Sequence, residues 1–298
     1  MKRILAGLLA LLGACDETDS KGWLVDRARL LGARTEAMTE PTRAAVAVGE
    51  QASVTWLVAS PTPLGAISYA WAACAPPAGS QPTPRCEGAV LASGTGTASA
   101  FGLVGAPLTV PGVPGDEVYL LGAFCPNGSA PPVLDAAAFQ ATCAEGTALL
   151  GTTTLRLGGG NHNPPIGDGD VLIDGVAIPP STIGPVDATC AGEPGAPVVL
   201  ADGREHQLGF QFREEQREID AAGKREALVV THVISTGELD RQYSSLDADA
   251  APGVVTVAWT APTGGVPEAG RIIETFFVLR DGRGGTTFAR RTLCVRLY

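Results

Sequence analysis

Short runs of alternating apolar and polar residues, separated by turns rich in Gly and Pro, constrain the fold more than any other feature of this sequence. The clearest run in the first half is Ala52, Val54, Trp56 and Val58. A strand with this period of two buries one face and leaves the other to solvent. Such runs recur about every ten residues with no long helical pattern between them, so we predict an all-β chain.

The second half of the chain shows the same alternation. Leu208, Phe210 and Phe212 share one face of a run, and an Asp-Gly turn at residues 281–282 lies between two apolar stretches. Asp-Gly in that setting is a strong signal for a β-hairpin. The composition agrees, because 38 Gly and 23 Pro in 298 residues, with only 17% charged residues, are atypical of helical proteins. We predict two β-sandwich domains.

The domain boundary is predicted from residues 158–165, which read Gly-Gly-Gly-Asn-His-Asn-Pro-Pro. Glycines followed by prolines give a linker that packs no core. Domain 1 then covers residues 23–157 and domain 2 covers residues 166–298. Two further segments are interpreted locally: residues 133–141 as a short helix, because they hold good helix formers, and the charge-dense residues 213–226 as a solvated loop or short helical excursion.

The first fifteen residues predict export. Lys2 and Arg3 precede an apolar run over residues 4–12, which is shorter than the ~20 residues that span a bilayer as a helix and is typical of a secretory leader. The run ends in Leu-Gly-Ala-Cys at residues 12–15, which resembles the bacterial lipobox. An ordinary secretory leader with a chance cysteine is the alternative.

The lipobox resemblance implies a signal peptide over residues 1–14 and acyl chains on the thiol and the new amino group of Cys15. Residues 15–22 would then form a lipidated tether that holds the protein on the cell envelope. Asp16 resembles an inner-membrane retention signal of enteric lipoproteins, a rule that differs between bacterial groups. We therefore expect either the outer membrane or the periplasmic face of the inner membrane.

Six cysteines remain besides Cys15, an even number that suggests three disulfides in an oxidising compartment. None of them has the CxxC spacing of a zinc or redox site. We favour sequential pairing, with a Cys74–Cys125 bridge as the competing arrangement. The sequential pairs are Cys74 with Cys86, Cys125 with Cys143, and Cys190 with Cys294.

Two stretches resemble bacterial immunoglobulin-like modules. In the first half the resemblance rests on Pro41, Val48-Gly49-Glu50-Gln51 and Val54-Thr55-Trp56, followed by Tyr69-Ala70-Trp71. In the second half, residues 236–239 and 277–285 look like a final hairpin. The chain also resembles uncharacterised lipoproteins of the myxobacterial kind. It departs from antibody-type domains, because neither half has their Cys…Trp…Cys spacing. The resemblance implies the fold and carries no active site.

Candidate chemistry in the sequence is sparse. The histidines have no ligand spacing between them, and we expect the one that alternates with core residues to be buried. A carboxylate cluster after the linker is a weak calcium candidate without the length or distal glutamate of an EF-hand; otherwise it is a polar turn. No GxSxG, HExxH or P-loop occurs. These residues are His162, His206 and His232, and Asp168, Asp170 and Asp174.

Function is predicted only in outline. A net charge of -10 argues against nucleic-acid binding. We expect a non-enzymatic binding or adhesion module without a cofactor, which contacts a protein or glycan partner through loops at one end of a sandwich. The alternative is a structural spacer or accessory subunit of an envelope assembly. A hydrolase is a third hypothesis, which would require a cleft of converging polar residues.

Overall fold

Strands account for nearly all regular structure in this protein. The computed structural model describes residues 21–62, 64–76, 85–98, 102–181, 189–192, 195–219 and 223–297. The predicted signal peptide and Cys15 lie outside these ranges. Within them, the only helical elements are two 3₁₀ turns, Cys190–Gly192 and Glu214–Gln216, and no helix is long and apolar enough to cross a membrane.

Nine strands form the first half of the chain. Three of them make one sheet in the order β1-β2-β5, four make a second sheet in the order β4-β3-β6-β9, and β7-β8 is a separate hairpin. The strands are β1 Arg29–Ala37, β2 Gln51–Ala59, β3 Ile67–Cys74, β4 Ala92–Ala98, β5 Leu103–Thr109, β6 Glu117–Pro126, β7 Val133–Asp135, β8 Gln140–Thr142 and β9 Leu149–Arg156.

The two sheets of domain 1 face each other across one apolar core. Val54 and Trp56 of β2 meet Tyr69 of β3 and Phe124 of β6 in this core, and the rings of Trp56 and Phe124 are 5.2 Å apart. The alternation in β2 places Val54, Trp56 and Val58 inside, each at most 2% exposed. The alternating run therefore forms a sandwich strand, as its period requires.

Ten strands form the second half. They make two five-stranded sheets, in the orders β11-β10-β13-β17-β15 and β12-β19-β18-β14-β16. The strands are β10 Val171–Ile173, β11 Val176–Ala177, β12 Val198–Leu200, β13 Glu205–Gln211, β14 Leu228–Ile234, β15 Glu238–Leu239, β16 Tyr243–Leu246, β17 Val254–Thr260, β18 Arg271–Arg280 and β19 Thr286–Arg296.

Both halves are immunoglobulin-like β-sandwiches with matching topology. The order β1-β2-β5 corresponds to β10-β13-β17, and β4-β3-β6-β9 corresponds to β16-β14-β18-β19. In domain 2, Phe210, Phe277 and Trp259 fill the space between the sheets, and a short strand, β12, runs parallel to β19. The predicted all-β fold with two such sandwiches is confirmed.

One local interpretation of the sequence is wrong, and a second holds only in part. Residues 133–141 belong to the β7–β8 hairpin instead of a helix, because Asp135 Oδ1 accepts hydrogen bonds from the backbone of Ala137 and Ala138 and turns the chain. The charge-dense segment 213–226 contains a short helical turn, Glu214–Gln216, and most of its described residues are exposed, as predicted, but Arg217 and Glu226 are only 7% and 6% exposed. The Arg217 guanidinium donates to backbone carbonyls of residues 247, 248 and 250.

The two domains pack against each other through the outer faces of their sheets. Leu57 and Ala59 on the outer face of β2 form a small apolar cluster with Val233, Phe276 and Val278 of domain 2. These residues have the opposite parity to the core residues of their own strands. Burial of a second face in both domains makes the pair one packed unit.

The chain entering domain 1 first binds domain 2. The Trp23 carbonyl accepts a hydrogen bond from Ile234 N at 2.8 Å, and Val25 N donates to the Ile234 carbonyl at 2.9 Å. Trp23 also packs on the domain 2 core. Residues 21–25, the N-terminal arm, therefore add a short extended segment to the end of β14 before the chain crosses to β1.

Candidate functional site

The strongest candidate site is a groove on the outer face of domain 1, between strand β4 and the β7–β8 hairpin. Its volume is about 760 Å³, within the range of sites that hold small molecules or peptide segments. We call it the domain 1 groove. It is lined by Ala70, Trp71, Ala72, Val90, Ser93, Gly94, Thr95, Pro132, Val133, Leu134, Asp135, Ala136 and Ala137.

Small side chains on β3 and β4 make the floor of the groove flat. Ala70 and Ala72 alternate with the core residue Trp71 on β3, and Ser93 and Thr95 are exposed on the neighbouring β4. The Trp71 ring faces inward and covers Gly94, since a Cβ at that glycine would lie 2.7 Å from Trp71 Nε1. Ala70 and Ala72 are themselves only 5% and 4% exposed, so the floor presents mainly the hydroxyls and backbone of β4, and its aromatic ring belongs to the core.

The wall of the groove is the β7–β8 hairpin, which exposes an apolar side chain. Val133 is 76% exposed, and Val90, across the groove, is 46% exposed. Beneath the hairpin, Leu134 and Phe139 pack against a small cluster on the outer face of the sheet that includes Leu121. The hairpin is thus held on the sheet by its inner side chains and leaves its outer valine free.

Two disulfides fix the segments around the groove. Cys74 at the end of β3 bonds Cys86, and Cys125 of β6 bonds Cys143 after β8. Cys86 N also donates a hydrogen bond to the Ala136 carbonyl at 3.0 Å, which ties the first disulfide loop to the hairpin. The groove walls are therefore cross-linked to the two central strands of the sheet.

The groove has open strand edges and almost no charge. Among the described residues, strand β4 pairs with β3 alone and β7 with β8 alone, so each is an edge strand with backbone N–H and C=O groups on one side. Asp135 is the only ionisable residue among the described lining residues, and one of its oxygens is occupied by the hairpin backbone. An extended polypeptide can therefore satisfy both its backbone and its apolar side chains here.

The weak calcium candidates have other partners. Asp170 is 1% exposed, and its carboxylate accepts hydrogen bonds from Arg213, Gln216 and the backbone of Gly167. Asp174 lies in the turn between β10 and β11 with a positive φ, and its Oδ2 is hydrogen-bonded to His206 Nδ1 at 2.7 Å. Asp168 is exposed. Over the described ranges, no group of three or more His, Cys, Asp or Glu residues can hold a metal ion.

The three histidines lie apart in different environments. His232 is 1% exposed, its Nε2 lies 3.1 Å from the Ser244 hydroxyl, and burial lowers its pKa to about 4. It alternates with core residues of β14, as its parity predicts. His206 pairs with Asp174 and tilts against Trp259 at a ring distance of 5.8 Å. These two are structural contacts of domain 2.

His162 bridges the domains. Its Nδ1 lies 2.5 Å from Glu218 Oε1 of domain 2, and its Nε2 lies 3.2 Å from Glu40 Oε1 of domain 1. The hydrogen bond to Glu218 and the second one to Glu40 raise its pKa against the opposing effect of burial. Sequence reasoning placed this histidine in the linker without partners.

A third disulfide joins the two remaining cysteines. Cys190 bonds Cys294 across 104 residues, and all three bonds follow the sequential order that we favoured over a Cys74–Cys125 bridge. Three disulfides indicate an oxidising, extracytoplasmic compartment.

The groove itself was missed by sequence reasoning. Its lining comes from strands and a hairpin that are distant in sequence, and the helix formers of residues 133–141 concealed the hairpin. Asp135 was the local signal that could have found it, since Asp favours turns by bonding to the backbone two residues ahead.

The fold and the disulfides define a class: a disulfide-bonded protein of two immunoglobulin-like β-sandwiches that belongs in an oxidising, extracytoplasmic compartment. No protein-family model matches the chain, and no curated protein matches its sequence. Red sea bream transglutaminase is a similar solved structure, with 10% identity, a TM-score of 0.22, and coverage of 91% of this chain and 32% of its own.

A Salmonella alpha-2-macroglobulin variant is also similar. It is 11% identical with a TM-score of 0.23, and the match covers 90% of this chain and 16% of that protein. The chain thus spans about a third or less of these larger proteins. Similarity at this level supports no inference about activity.

Proposed function

We propose that this protein is an exported, lipid-anchored and non-enzymatic binding module of the cell envelope. Its domain 1 groove would bind an extended apolar segment of a partner protein. The observation that carries the proposal is the exposed Val133 on a disulfide-tethered wall, above a floor with an open strand edge. Exposed apolar side chains in a fixed groove lower the entropy cost of binding, because the site needs no reordering.

A protein segment fits the groove better than a glycan does. Sugar sites combine exposed aromatic faces with several polar side chains, whereas Trp71 is only 7% exposed and faces the core. The exposed apolar surface of the groove instead comes from Val133 and Val90, and β4 is an edge strand. Addition of a strand to an edge provides backbone hydrogen bonds, and alternate side chains of the partner then contact these valines.

The anchor is part of the same proposal. Lipid on Cys15 would hold the groove near a membrane at about 0.8 kcal/mol per buried CH₂. Cys15→Ser should release the protein from washed membranes into the soluble fraction while its disulfides still form. Membrane retention of this variant in the presence of high salt would contradict lipid anchoring.

Site-specific photo-cross-linking tests the groove. A benzophenone amino acid at position 133 should capture one defined partner in intact cells, and mass spectrometry should place the cross-link in an apolar, extended segment. The matched control is the same amino acid at Val176, which is 63% exposed on β11 of domain 2. A Val133→Asp change should weaken binding of the captured segment at least tenfold, and Val176→Asp should leave it unchanged.

Two results would contradict the groove as the binding site. If positions 133 and 176 yield the same cross-links, or if Val133→Asp binds the segment as the wild type does, the groove is not the binding site. Folding is a minor concern for both variants, because each side chain projects mainly into solvent.

A structural spacer is the second candidate, and the docked domains favour it. The N-terminal arm, the linker and the apolar contact around Leu57 and Phe276 hold the two sandwiches as one unit. A spacer depends on this rigidity and not on the groove. Loss of envelope function by a domain-separating variant, with no effect of Val133→Asp, would favour the spacer.

A further inference from the structure

A second cleft lies between the two domains, distinct from the domain 1 groove. It has a volume of about 540 Å³ and runs between β1 of domain 1 and strands β14, β16 and β18 of domain 2. We call it the interdomain cleft. Its polar lining includes Arg29, Thr231, Tyr243 and Arg280, and none of the described residues that line it is Asp or Glu.

Both arginines are held by neutral acceptors. Arg280 Nη1 donates to the Thr231 hydroxyl at 2.8 Å, and Nη2 donates to the Leu31 carbonyl at 2.9 Å. Arg29 donates to the carbonyls of Leu24 and Gly22 at 2.9 and 2.8 Å. Neither makes a salt bridge to any residue that the structure describes. Each guanidinium has used two of its five N–H groups.

Neither guanidinium group of the cleft has a carboxylate partner among the described residues, although the chain as a whole carries a net charge of -10. Both side chains are partly buried, and desolvation lowers the pKa of Arg280. An arginine nevertheless stays charged at neutral pH, and a partly buried charge without a counter-ion raises the free energy of the site. An anion between the two groups would remove that cost.

The rest of the cleft is apolar. Leu31 lies on the domain 1 side, where it packs on the interdomain cluster, and Val229 and Val233 lie on the outer face of β14. Val229 is 39% exposed and Val233 is 2% exposed. Tyr243, 57% exposed, stands at the edge strand β16 beside them. The site therefore combines two arginines with an aliphatic wall.

We propose that the interdomain cleft binds an oxyanion headgroup carried on a short apolar chain. The headgroup would accept hydrogen bonds from Arg29 and Arg280, which bind carboxylate and phosphate oxygens through their planar forks. The chain would lie on Leu31 and Val229. This site is independent of the proposed function of the domain 1 groove.

Calorimetric titration of the full mature chain tests the site. The probes are hexanoate and hexyl phosphate, with hexanol as the neutral analogue, all at matched ionic strength. Both anions should bind at least tenfold more tightly than hexanol, and the tighter of the two identifies the headgroup. Arg280→Gln and Arg29→Gln should each weaken anion binding at least fivefold. Arg204→Gln, at an exposed pair with Asp202, should leave it unchanged.

A further variant keeps the test decisive if the arginine variants lose their structure. Val229→Asp puts a carboxylate into the cleft from a partly exposed position and should abolish anion binding. Val254→Asp is the matched control, since Val254 is 50% exposed on the other sheet of domain 2. Equal binding of hexanol and the anions, or wild-type affinity in Val229→Asp and both arginine variants, would overturn the proposal.

Discussion

At the scale of single residues, linker side chains do more than connect the domains. Asn161 Nδ2 donates to Asp281 Oδ2 at 2.9 Å, and Asn163 donates to the Thr35 carbonyl at 2.8 Å. Thr286 N in turn donates to Asn163 Oδ1 at 2.9 Å. Gly158 and Gly159 adopt positive φ before this stretch, a conformation that suits glycine. A flexible composition is therefore compatible with a fixed path when most polar groups find partners, although Asn161 Oδ1 is buried without one.

His162 makes this contact sensitive to pH. Its hydrogen bonds to Glu218 and Glu40 raise its pKa in the folded protein above the usual value of about 6.5. A raised folded pKa contributes stability that is complete below about pH 6.5 and is lost as the pH rises through the folded pKa. The contribution stays below about 1 kcal/mol, because the side chain is 39% exposed and solvent screens the pair.

We predict that His162→Gln lowers the free energy of unfolding at pH 5.5 and has little effect at pH 9. Urea denaturation at the two pH values measures the difference. Repeating the comparison in a Glu218→Gln background serves as the control, where most of the pH dependence should disappear. A constant effect of His162→Gln across this range would show that the histidine acts through packing and not through charge.

Single residues also show where sequence reasoning succeeds. The burial of His232 follows from its parity with Val230 and Ile234, because a strand has only two faces. The partners of His162 did not follow, since Glu40 and Glu218 lie 122 and 56 residues away. Local periodicity fixes the face of a side chain, and tertiary contacts fix its partner.

At the scale of elements, the long strands were predictable and the short hairpin was not. Strands such as β2 and β17 carry an alternation of several residues, which distinguishes strand from helix. The β7–β8 hairpin has only three residues in each strand, too few for a pattern. Its sequence favours helix, and its position is set by the Cys125–Cys143 bond and by packing on β3.

We predict that removal of the Cys125–Cys143 bond loosens this hairpin selectively. The double change Cys125→Ala and Cys143→Ala releases an 18-residue loop and should lower the free energy of unfolding by about 3 kcal/mol. Amide hydrogen exchange over residues 133–142 should accelerate at least tenfold, while β3 and β6 stay protected. These central strands keep their other pairings.

The matched control is the pair Cys190→Ala and Cys294→Ala. That bond lies in domain 2 and its removal should leave exchange in residues 133–142 unchanged. Unaltered exchange of the hairpin in the first variant would mean that packing alone holds the groove wall.

At the scale of the whole molecule, the two sandwiches were predictable and their association was not. The sequence does contain a signal: residues 271–280 of β18, Arg-Ile-Ile-Glu-Thr-Phe-Phe-Val-Leu-Arg, are apolar on both parities. Such a run indicates a strand buried on both faces. Which surface covers the second face, here β2 of domain 1, depends on the docking of separate domains and leaves no local pattern.

We predict that this docking fails when its apolar contact receives a charge. Leu57 is 3% exposed on the outer face of β2, so Leu57→Asp buries a carboxylate only while the domains are docked. A buried unpaired charge costs several kcal/mol, and separation of the domains returns it to water. The variant should therefore unfold in two calorimetric transitions and show a larger radius of gyration by X-ray scattering.

Thr55→Asp, two residues away on the same strand and partly exposed, is the control and should keep one transition. A single transition with unchanged dimensions for Leu57→Asp would mean that the arm and the linker hold the domains together without this contact.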